Sequence, residues 1–357
     1  MTNLQIVLNV LIILLLIYIS LRLIYNQHKL PLIQHIEESL TILNNPDTEL
    51  AELISNSDNS FINNIQSISK DSATLQLREY CIKASYNSAS TGNYVNIDMI
   101  KHLLKRGCRL LDFEIFYIKV DDKFTPVVGF TTDKHYNIIE SKNTIKLDDV
   151  LIMIATNAFT DTSPNRNDPI FINLRIKSND SGIYNAVAKS INNNIKSSVY
   201  NSKVSDDTIL SELLSKTVIM VDKTIKRDYK TLATCDNTSL DCFDLNNYIN
   251  IESGSESVNL FKLSNLIGQA YTPILIKDDN IRTTVKNIRM AIPDTVNLSN
   301  NPIITDYIIK YGCQLVAYMF YIRDTNIDEY EEFFNYNTTA FVPLSTAITH
   351  FTNKSQI

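Results

Sequence analysis

The chain has no tryptophan and only 7 glycines among its 357 residues. It contains no Walker phosphate loop, no Gly-x-Gly-x-x-Gly run, no His-Glu-x-x-His pair and no Gly-x-Ser-x-Gly elbow. The sequence therefore lacks the motifs that mark P-loop NTPases, dinucleotide-dependent enzymes, zinc proteases and α/β-hydrolases. An excess of positive charge is also missing, because the formal net charge is −6. This balance argues against a general nucleic-acid-binding protein.

Cysteine is scarce, with five residues at scattered positions. Cys81, Cys108 and Cys313 lie in apolar, strand-like runs, which favours buried reduced thiols over a disulfide framework. Cys235 and Cys242 are close enough in sequence to pair with each other. Neither has a histidine or cysteine neighbour at metal-binding spacing.

One apolar run near the N-terminus is long enough to cross a bilayer. Residues 4–25 carry no charge before Arg22, and about 20 apolar residues span the hydrocarbon core. A cleaved signal peptide is the competing interpretation, but no basic segment precedes the run and no small-residue cleavage site follows it. Arg22, His28 and Lys29 flank only its C-terminal side, which by the positive-inside rule places the bulk of the chain on the cytoplasmic side. We therefore expect a single-pass transmembrane anchor within residues 1–28.

The pattern changes twice after this run. Residues 29–75 hold short amphipathic stretches without a long heptad repeat, which predicts a helical stalk or spacer. From Tyr80 onward, strand-like and helix-like segments alternate, which is typical of βαβ units and a parallel sheet. The predicted strands are 81–84, 108–116, 126–130, 169–176 and 218–221, and the predicted helices are 97–106, 147–157 and 183–195.

Four segments of this region carry a resemblance to a known family. They are CIKASYNSASTG, IKHLLKRGCRLLDFEIF, TPVVGF and DPIFINLRI, in that order between Cys81 and Ile176. Together they resemble the catalytic X half of phosphoinositide-specific phospholipase C, and YGCQLVAYMF at 311–320 is similar to its Y half. The resemblance implies an α/β fold: a split (β/α)8 barrel of the TIM type, which here follows an N-terminal transmembrane helix.

The same resemblance implies the domain boundaries. A polar, broken stretch that includes TSLDCFDLNNYINIESGSES predicts a variable linker between the two halves of the barrel. Residues 76–226 are then the X-like half, 227–260 the linker, 261–350 the Y-like half and 351–357 a tail.

The family uses two histidines for acid–base catalysis, and the resemblance places other residues at both positions. Tyr86 stands where a Ser-His-Asn run is expected, and Phe130 stands four residues after Pro126, where the second histidine is expected. A phenol with an ordinary pKa near 10 is a poor base at pH 7, and a phenyl ring has no proton to transfer. His135 lies five residues further on and is the nearest substitute, but a position on a surface loop is the favoured interpretation.

The family also holds calcium with an asparagine and acidic side chains. Asn87, Asp112 and Glu114 match three of these positions, and Arg175 replaces a final glutamate. Asp112 and Glu114 share one face of a strand because they are two residues apart. A guanidinium repels a metal cation and presents donors that match carboxylates. We therefore expect a degenerate metal site closed by ion pairs, without calcium or another cofactor; the alternative is that Arg175 points to solvent.

These substitutions predict a catalytically inactive phospholipase C-like barrel that acts as a structural or protein-interaction scaffold at a membrane, without a nucleic-acid partner. A second interpretation keeps weak binding of phosphoinositides or other anionic head groups through Lys223 and Arg289, without hydrolysis. A third interpretation is a phosphodiesterase of altered mechanism.

The composition adds a prediction about origin. Asparagine, isoleucine, lysine and tyrosine are abundant, which suggests an AT-rich genome such as that of a large DNA virus. We therefore include a virion membrane or inner-capsid location among the expectations. The glycosylation sequons at Asn237, Asn297 and Asn337 are expected by chance in a chain so rich in asparagine and serine.

Overall fold

The computed structural model describes Tyr18 and residues 45–56, 63–235, 242–267, 273–295 and 300–354. The chain divides into two compact units, Met1–Glu49 and Leu50–Ile357. Apart from Tyr18, the predicted anchor at 4–25 lies outside the described residues, as does the predicted stalk between residues 29 and 44. Within the described ranges, no helix has the length and apolar character needed to cross a bilayer.

The described part of the second unit contains one sheet of eleven strands. They are β1 (Tyr80–Ser85), β2 (Leu110–Val120), β3 (Lys123–Gly129), β4 (Ile145–Lys146), β5 (Ile170–Ile176), β6 (Thr217–Asp222), β7 (Ile251–Ser253), β8 (Val258–Lys262), β9 (Ile288–Ile292), β10 (Leu315–Tyr318) and β11 (Phe341–Pro343). Eight of these strands run parallel in the order β7-β6-β5-β2-β1-β10-β9-β8. The end strands β7 and β8 lie beside each other but share no ladder among the described residues. The sheet is a nearly closed barrel, which confirms the predicted parallel α/β fold of the TIM type.

Nine α-helices occur in the described residues. They are α1 (Pro46–Asn56), α2 (Ile97–Lys105), α3 (Leu147–Asn157), α4 (Gly182–Asn194), α5 (Tyr229–Ala233), α6 (Leu263–Leu266), α7 (Ile304–Ile309), α8 (Thr325–Tyr336) and α9 (Leu344–Lys354). The predicted helices 97–106, 147–157 and 183–195 are confirmed to within one residue. Side-chain caps account for two of the starts: Asn96 accepts the backbone N–H of Asp98 at 2.8 Å and Asp324 accepts that of Ile327 at 2.8 Å.

The barrel strands are buried on both faces. Every residue of β1, β5 and β6 is buried, as expected when helices cover the outer face and the barrel interior covers the inner one. Polar side chains on these strands therefore have to find partners inside the protein.

The strand predicted at 126–130 is not one of the parallel barrel strands. It is β3, which pairs antiparallel with β2, so that Glu114 lies opposite Gly129 and Val120 lies opposite Lys123. The turn residues Asp121 and Asp122 have φ values of 48° and 64°, a region that aspartate tolerates better than most residues. The parallel pairing expected for this run was wrong because an apolar run does not specify the direction of its partner.

The predicted linker at 227–260 contributes to the barrel itself, since it contains α5, β7 and most of β8. Strands of three and five residues among Ser, Gly and Asn carry too little apolar alternation to be recognised. The barrel therefore continues through the segment predicted as a linker, and that part of the predicted organisation is wrong.

The five cysteines fall into two groups. Cys235 and Cys242 form a disulfide, as their closeness in sequence allowed. Cys81, Cys108 and Cys313 are free and buried, as predicted from their apolar surroundings.

Candidate functional site

The carboxyl ends of the parallel strands, which form the barrel mouth, bring the predicted metal-site residues together. Asn87 follows β1, Asp112 and Glu114 lie in β2, and Arg175 lies in β5. The parallel register of β2 and β5 makes Glu114 the direct neighbour of Arg175, and Asp112 the direct neighbour of Asn173. Since residues two apart share one face of a strand, these side chains converge inside the barrel.

The guanidinium of Arg175 bridges the two carboxylates. Its Nε donates to Asp112 Oδ1 at 2.9 Å and its Nη2 to Asp112 Oδ2 at 2.7 Å, which is a bidentate pair. Its Nη1 donates to Glu114 Oε1 at 2.7 Å. Asp112, Glu114 and Arg175 are at most 2% exposed. The alternative in which Arg175 points to solvent is therefore excluded.

Two uncharged side chains complete the surroundings of the guanidinium. Asn87 Oδ1 accepts from Arg175 Nη2 at 2.6 Å, and the Tyr86 hydroxyl accepts from Nη1 at 3.3 Å. The Tyr86 ring also stacks against the guanidinium, with the central carbon 4.5 Å from the ring centroid. Asn87 has a φ of 43°, and its Nδ2 is buried without an acceptor. The side-chain amide is thus oriented for its oxygen to meet a donor.

Each carboxylate also receives donors from other elements. Asp112 Oδ1 accepts from Asn173 Nδ2 at 2.8 Å, and its Oδ2 accepts from the backbone N–H of Asn87 at 3.1 Å. Glu114 Oε2 accepts from the backbone N–H of Thr131 at 2.9 Å and lies 2.8 Å from Lys177 Nζ.

The resulting cluster is Asp112, Glu114, Arg175 and Lys177. Two carboxylates and two cations balance, so the cluster carries no net charge.

Burial and ion pairing act in opposite directions on Arg175. Burial alone lowers the pKa of its guanidinium, but the negative charges of Asp112, Tyr86 when ionised and Glu114 favour the cation, so the pKa is raised well above the ordinary value. The cation at the centre of the cluster is therefore permanent.

These residues do not fit a calcium ion. A divalent cation needs the carboxylate oxygens as ligands, and Arg175 nitrogen atoms lie 2.7 Å from an oxygen of both Asp112 and Glu114. A metal and the guanidinium cannot share those oxygens, because their charges repel at this separation. No group of three or more histidine, cysteine or acidic side chains suited to a metal occurs in the described parts of the chain.

The two expected histidine positions are also filled by groups unsuited to proton transfer. Tyr86 is 2% exposed, and burial raises the pKa of its phenol further above the ordinary value. Phe130 is buried as well, and its backbone carbonyl accepts from the N–H of Glu140 at 2.9 Å. Neither side chain serves as an acid or a base near neutral pH.

The proposed substitute, His135, lies on an exposed loop. Its backbone N–H donates to Asp133 Oδ1 at 2.9 Å, and its carbonyl accepts from Asn179 Nδ2 at 3.1 Å. Of the histidines that the structure describes, at positions 102, 135 and 350, none donates to or accepts from the Arg175 cluster.

The two predicted anion-binding residues are not brought together. Lys223 follows the carboxyl end of β6 and lies 3.7 Å from Glu252 Oε2. Arg289 is the second residue of β9, near the amino end of the parallel strands, and donates to the carbonyl of Tyr311 at 2.7 Å. Because the strands are parallel, the two side chains belong to opposite ends of the barrel, and a shared site is ruled out.

Sequence reasoning missed two lysines at the mouth. Lys177 directly follows β5 and is two residues beyond Arg175, so the alternation of Asn173, Arg175 and Lys177 was a usable signal for one shared face. Lys262 ends β8, and its Nζ donates to the Pro293 carbonyl at 3.3 Å. No local motif marks Lys262, because its position depends on the barrel closing.

Comparisons with known proteins agree with this fold. Residues 73–223, less than half of the chain, match the family model described as phosphatidylinositol-specific phospholipase C, X domain. The match supports a phosphoinositide phospholipase C-like family. It covers the predicted X-like half almost completely, and no curated protein matches the sequence.

Two solved structures extend the similarity beyond that half. PLC21 of L. pealei shares 14% identity and a TM-score of 0.54, and PLC21 of S. officinalis shares 16% identity and a TM-score of 0.53. Each match covers 76% of this chain and 37% of the other protein. The chain therefore spans well under half the length of these proteins, and at such identities the similarity shows the fold alone.

We expect Arg175→Met to lower the free energy of unfolding by about 3–5 kcal/mol, because it leaves Asp112 buried without a counter-charge. In an Asp112→Asn/Glu114→Gln background, the same substitution should be neutral or stabilising, because the guanidinium is then the unpaired group. Urea unfolding of the four proteins measures both effects. Arg282→Met is the control: Arg282 is 59% exposed and pairs with Asp279 at 2.7 Å, so its loss should matter little. If Arg175→Met lowered the free energy of unfolding equally in both backgrounds, the ion pairs of the cluster would not be the source of its effect.

The lowered pKa of Lys262 predicts that the stability of the protein depends on pH. Burial, with repulsion from Arg175, lowers the pKa of its ammonium to about 8 from 10.5. The unfolded chain then binds more protons than the folded one between these values, so this group makes stability rise with pH from about 8 to about 10.5. Lys262→Met should remove that rise. Unfolding of both proteins from pH 7.5 to 9.5 measures the difference, and parallel slopes would disprove it.

Proposed function

We propose that this protein is a membrane-anchored, phospholipase C-like barrel without phospholipase activity, which serves as a structural or protein-interaction scaffold. The observation that carries the proposal is the Arg175 guanidinium bound to both Asp112 and Glu114 at 2.7 Å. Those carboxylates would have to be free to hold a cation that neutralises charge on a phosphodiester, and here the guanidinium already occupies their oxygens.

The chemistry of the neighbouring positions supports the same proposal. General acid–base catalysis contributes about 10²–10⁴-fold for each group, and Tyr86 and Phe130 occupy both expected positions. A reaction without the acid, the base and the metal would be slowed by each of these losses in turn. Inactivity follows from three independent substitutions in one site rather than from one.

The anchor is proposed from the sequence. An uncharged run of about 20 apolar residues is sufficient to span a bilayer, and residues 4–21 provide nearly that length. A barrel tethered in this way meets partners in the plane of a membrane, which suits a scaffold for other membrane-associated proteins. A viral membrane or inner-capsid assembly is one setting with these requirements.

The head-group-binding alternative receives less support. Lys223 is already paired with Glu252, Lys177 with Glu114, and Arg289 lies at the other end of the barrel. Flotation of the full chain on vesicles with and without phosphoinositides separates the two functions. Stronger flotation with phosphoinositide that is lost in Lys223→Ala would favour head-group binding over a scaffold.

We expect no turnover of phosphatidylinositol by the full chain in detergent micelles with millimolar calcium. Tyr86→His/Phe130→His should remain inactive, because Arg175 still holds the carboxylates. The measurement is release of water-soluble inositol phosphate from labelled lipid. Turnover by the unmodified chain that is abolished by His135→Ala would overturn the proposal and establish an altered phosphodiesterase.

We further expect Arg175→Glu/Lys177→Gln to bind a trivalent lanthanide that the unmodified chain does not bind. The two changes replace the internal cations by a third carboxylate beside Asp112, Glu114 and the Asn87 amide oxygen. Terbium luminescence sensitised by nearby tyrosine gives a readout independent of activity. Saturable binding by the unmodified chain that is lost in Asp112→Asn would contradict the closed cluster.

A further inference from the structure

The cysteines divide according to their access to solvent. Cys81, Cys108 and Cys313 are at most 2% exposed, and burial raises the pKa of Cys108 and of Cys313 to about 12. Thiols of this kind are unreactive. The other two cysteines, Cys235 and Cys242, are half-buried and bonded to each other. None of the five presents a free thiol at the surface.

The disulfide lies in the segment between β6 and β7, outside the barrel mouth cluster. The two cysteines are seven residues apart in sequence. Cys242 lies against helix α4, where Asn185 Nδ2 donates to Cys242 Sγ at 3.0 Å and to the Phe243 carbonyl at 3.5 Å. Lys189, also on α4, places its ammonium 6.0 Å from the centre of the Phe243 ring. Helix α4 therefore contacts both the Cys242 sulfur and the next residue, Phe243.

Disulfides form and persist in oxidising compartments and are rare in the cytosol, where thiols are kept reduced. Resting on the membrane anchor of the proposed function, we propose that the barrel lies on the oxidising, non-cytosolic side of that membrane, with Cys235 and Cys242 joined. This is opposite to the side predicted from flanking charge. That prediction rested on Arg22, His28 and Lys29, of which only Arg22 and Lys29 carry a permanent charge. So small an excess of positive charge is weaker evidence for the side of the membrane than the disulfide is.

One consequence concerns modification. In such a compartment, an exposed Asn-x-Ser/Thr sequon is an acceptor for N-linked glycan. Asn179 heads Asn-Asp-Ser and is exposed on the loop between β5 and α4. Its side-chain Nδ2 donates to the His135 backbone carbonyl at 3.1 Å. The loop follows the carboxyl end of β5, so a glycan there would stand beside the barrel mouth. Asn337, by contrast, is half-buried.

The test uses the full chain made in eukaryotic cells and isolated in sealed microsomes. Denaturation in a mass-tagged maleimide should add three tags before reduction and five after it. Cys235→Ser/Cys242→Ser should take three tags under both conditions, which assigns the bonded pair. Added protease should leave the barrel intact until detergent opens the vesicles. The mass that a glycosidase removes should be smaller for Asn179→Gln than for the unmodified chain.

Two results would overturn the proposal. Five tags without reduction would mean that the pair is not bonded, and digestion of the barrel in sealed vesicles would place it on the cytosolic side. Both results are independent of lipid turnover and terbium binding, so failure here leaves the inactive-scaffold proposal unaffected.

Discussion

The site at the barrel mouth depends on one cation that is part of the chain itself, the guanidinium of Arg175. Two carboxylates as close as Asp112 and Glu114 cannot both stay ionised in a buried position without a counter-charge. Arg175 supplies that charge from the neighbouring strand, and the parallel register of β2 and β5 puts it directly beside Glu114. A slip of one residue would turn the whole set to the other face. The same contacts therefore fix the charge state of the site and the strand alignment.

Buried charge recurs elsewhere in this barrel without a functional role being required. Glu331 on α8 accepts from Lys83 at 3.3 Å and from Arg106 Nε at 2.7 Å. Arg109 is fully buried and donates to the Ala158 carbonyl at 3.0 Å and to Ser163 Oγ at 2.7 Å. A buried charged side chain with hydrogen-bond partners is thus found at several places in this chain. What makes the Arg175 cluster a candidate site is its place at the carboxyl ends of the strands, where TIM-type enzymes keep their chemistry.

Local patterns predicted a large part of this arrangement, and non-local pairing explains the rest. The period-two rule was enough to put Asp112 and Glu114 on one face, and the alternation of strand-like and helix-like segments placed the helices at 97–106, 147–157 and 183–195 to within one residue. The pairing of β3 with β2 was not predictable because a strand pattern carries no direction. The short strands β7 and β8 were missed because their place depends on barrel closure, and Lys262 was missed for the same reason.

The presence of Asp112 and Glu114 is weak evidence for metal binding, for a reason that lies in the energetics of the cluster. Once a buried guanidinium pairs with two carboxylates, removing either carboxylate leaves an uncompensated charge, which costs about 3–5 kcal/mol. Replacement of the entire cluster by apolar side chains is tolerated, but it needs several simultaneous changes. Single substitutions are therefore resisted whether or not the site has any chemistry. Acidic residues at such a position can persist for stability alone, and the residue that distinguishes the two cases is Arg175.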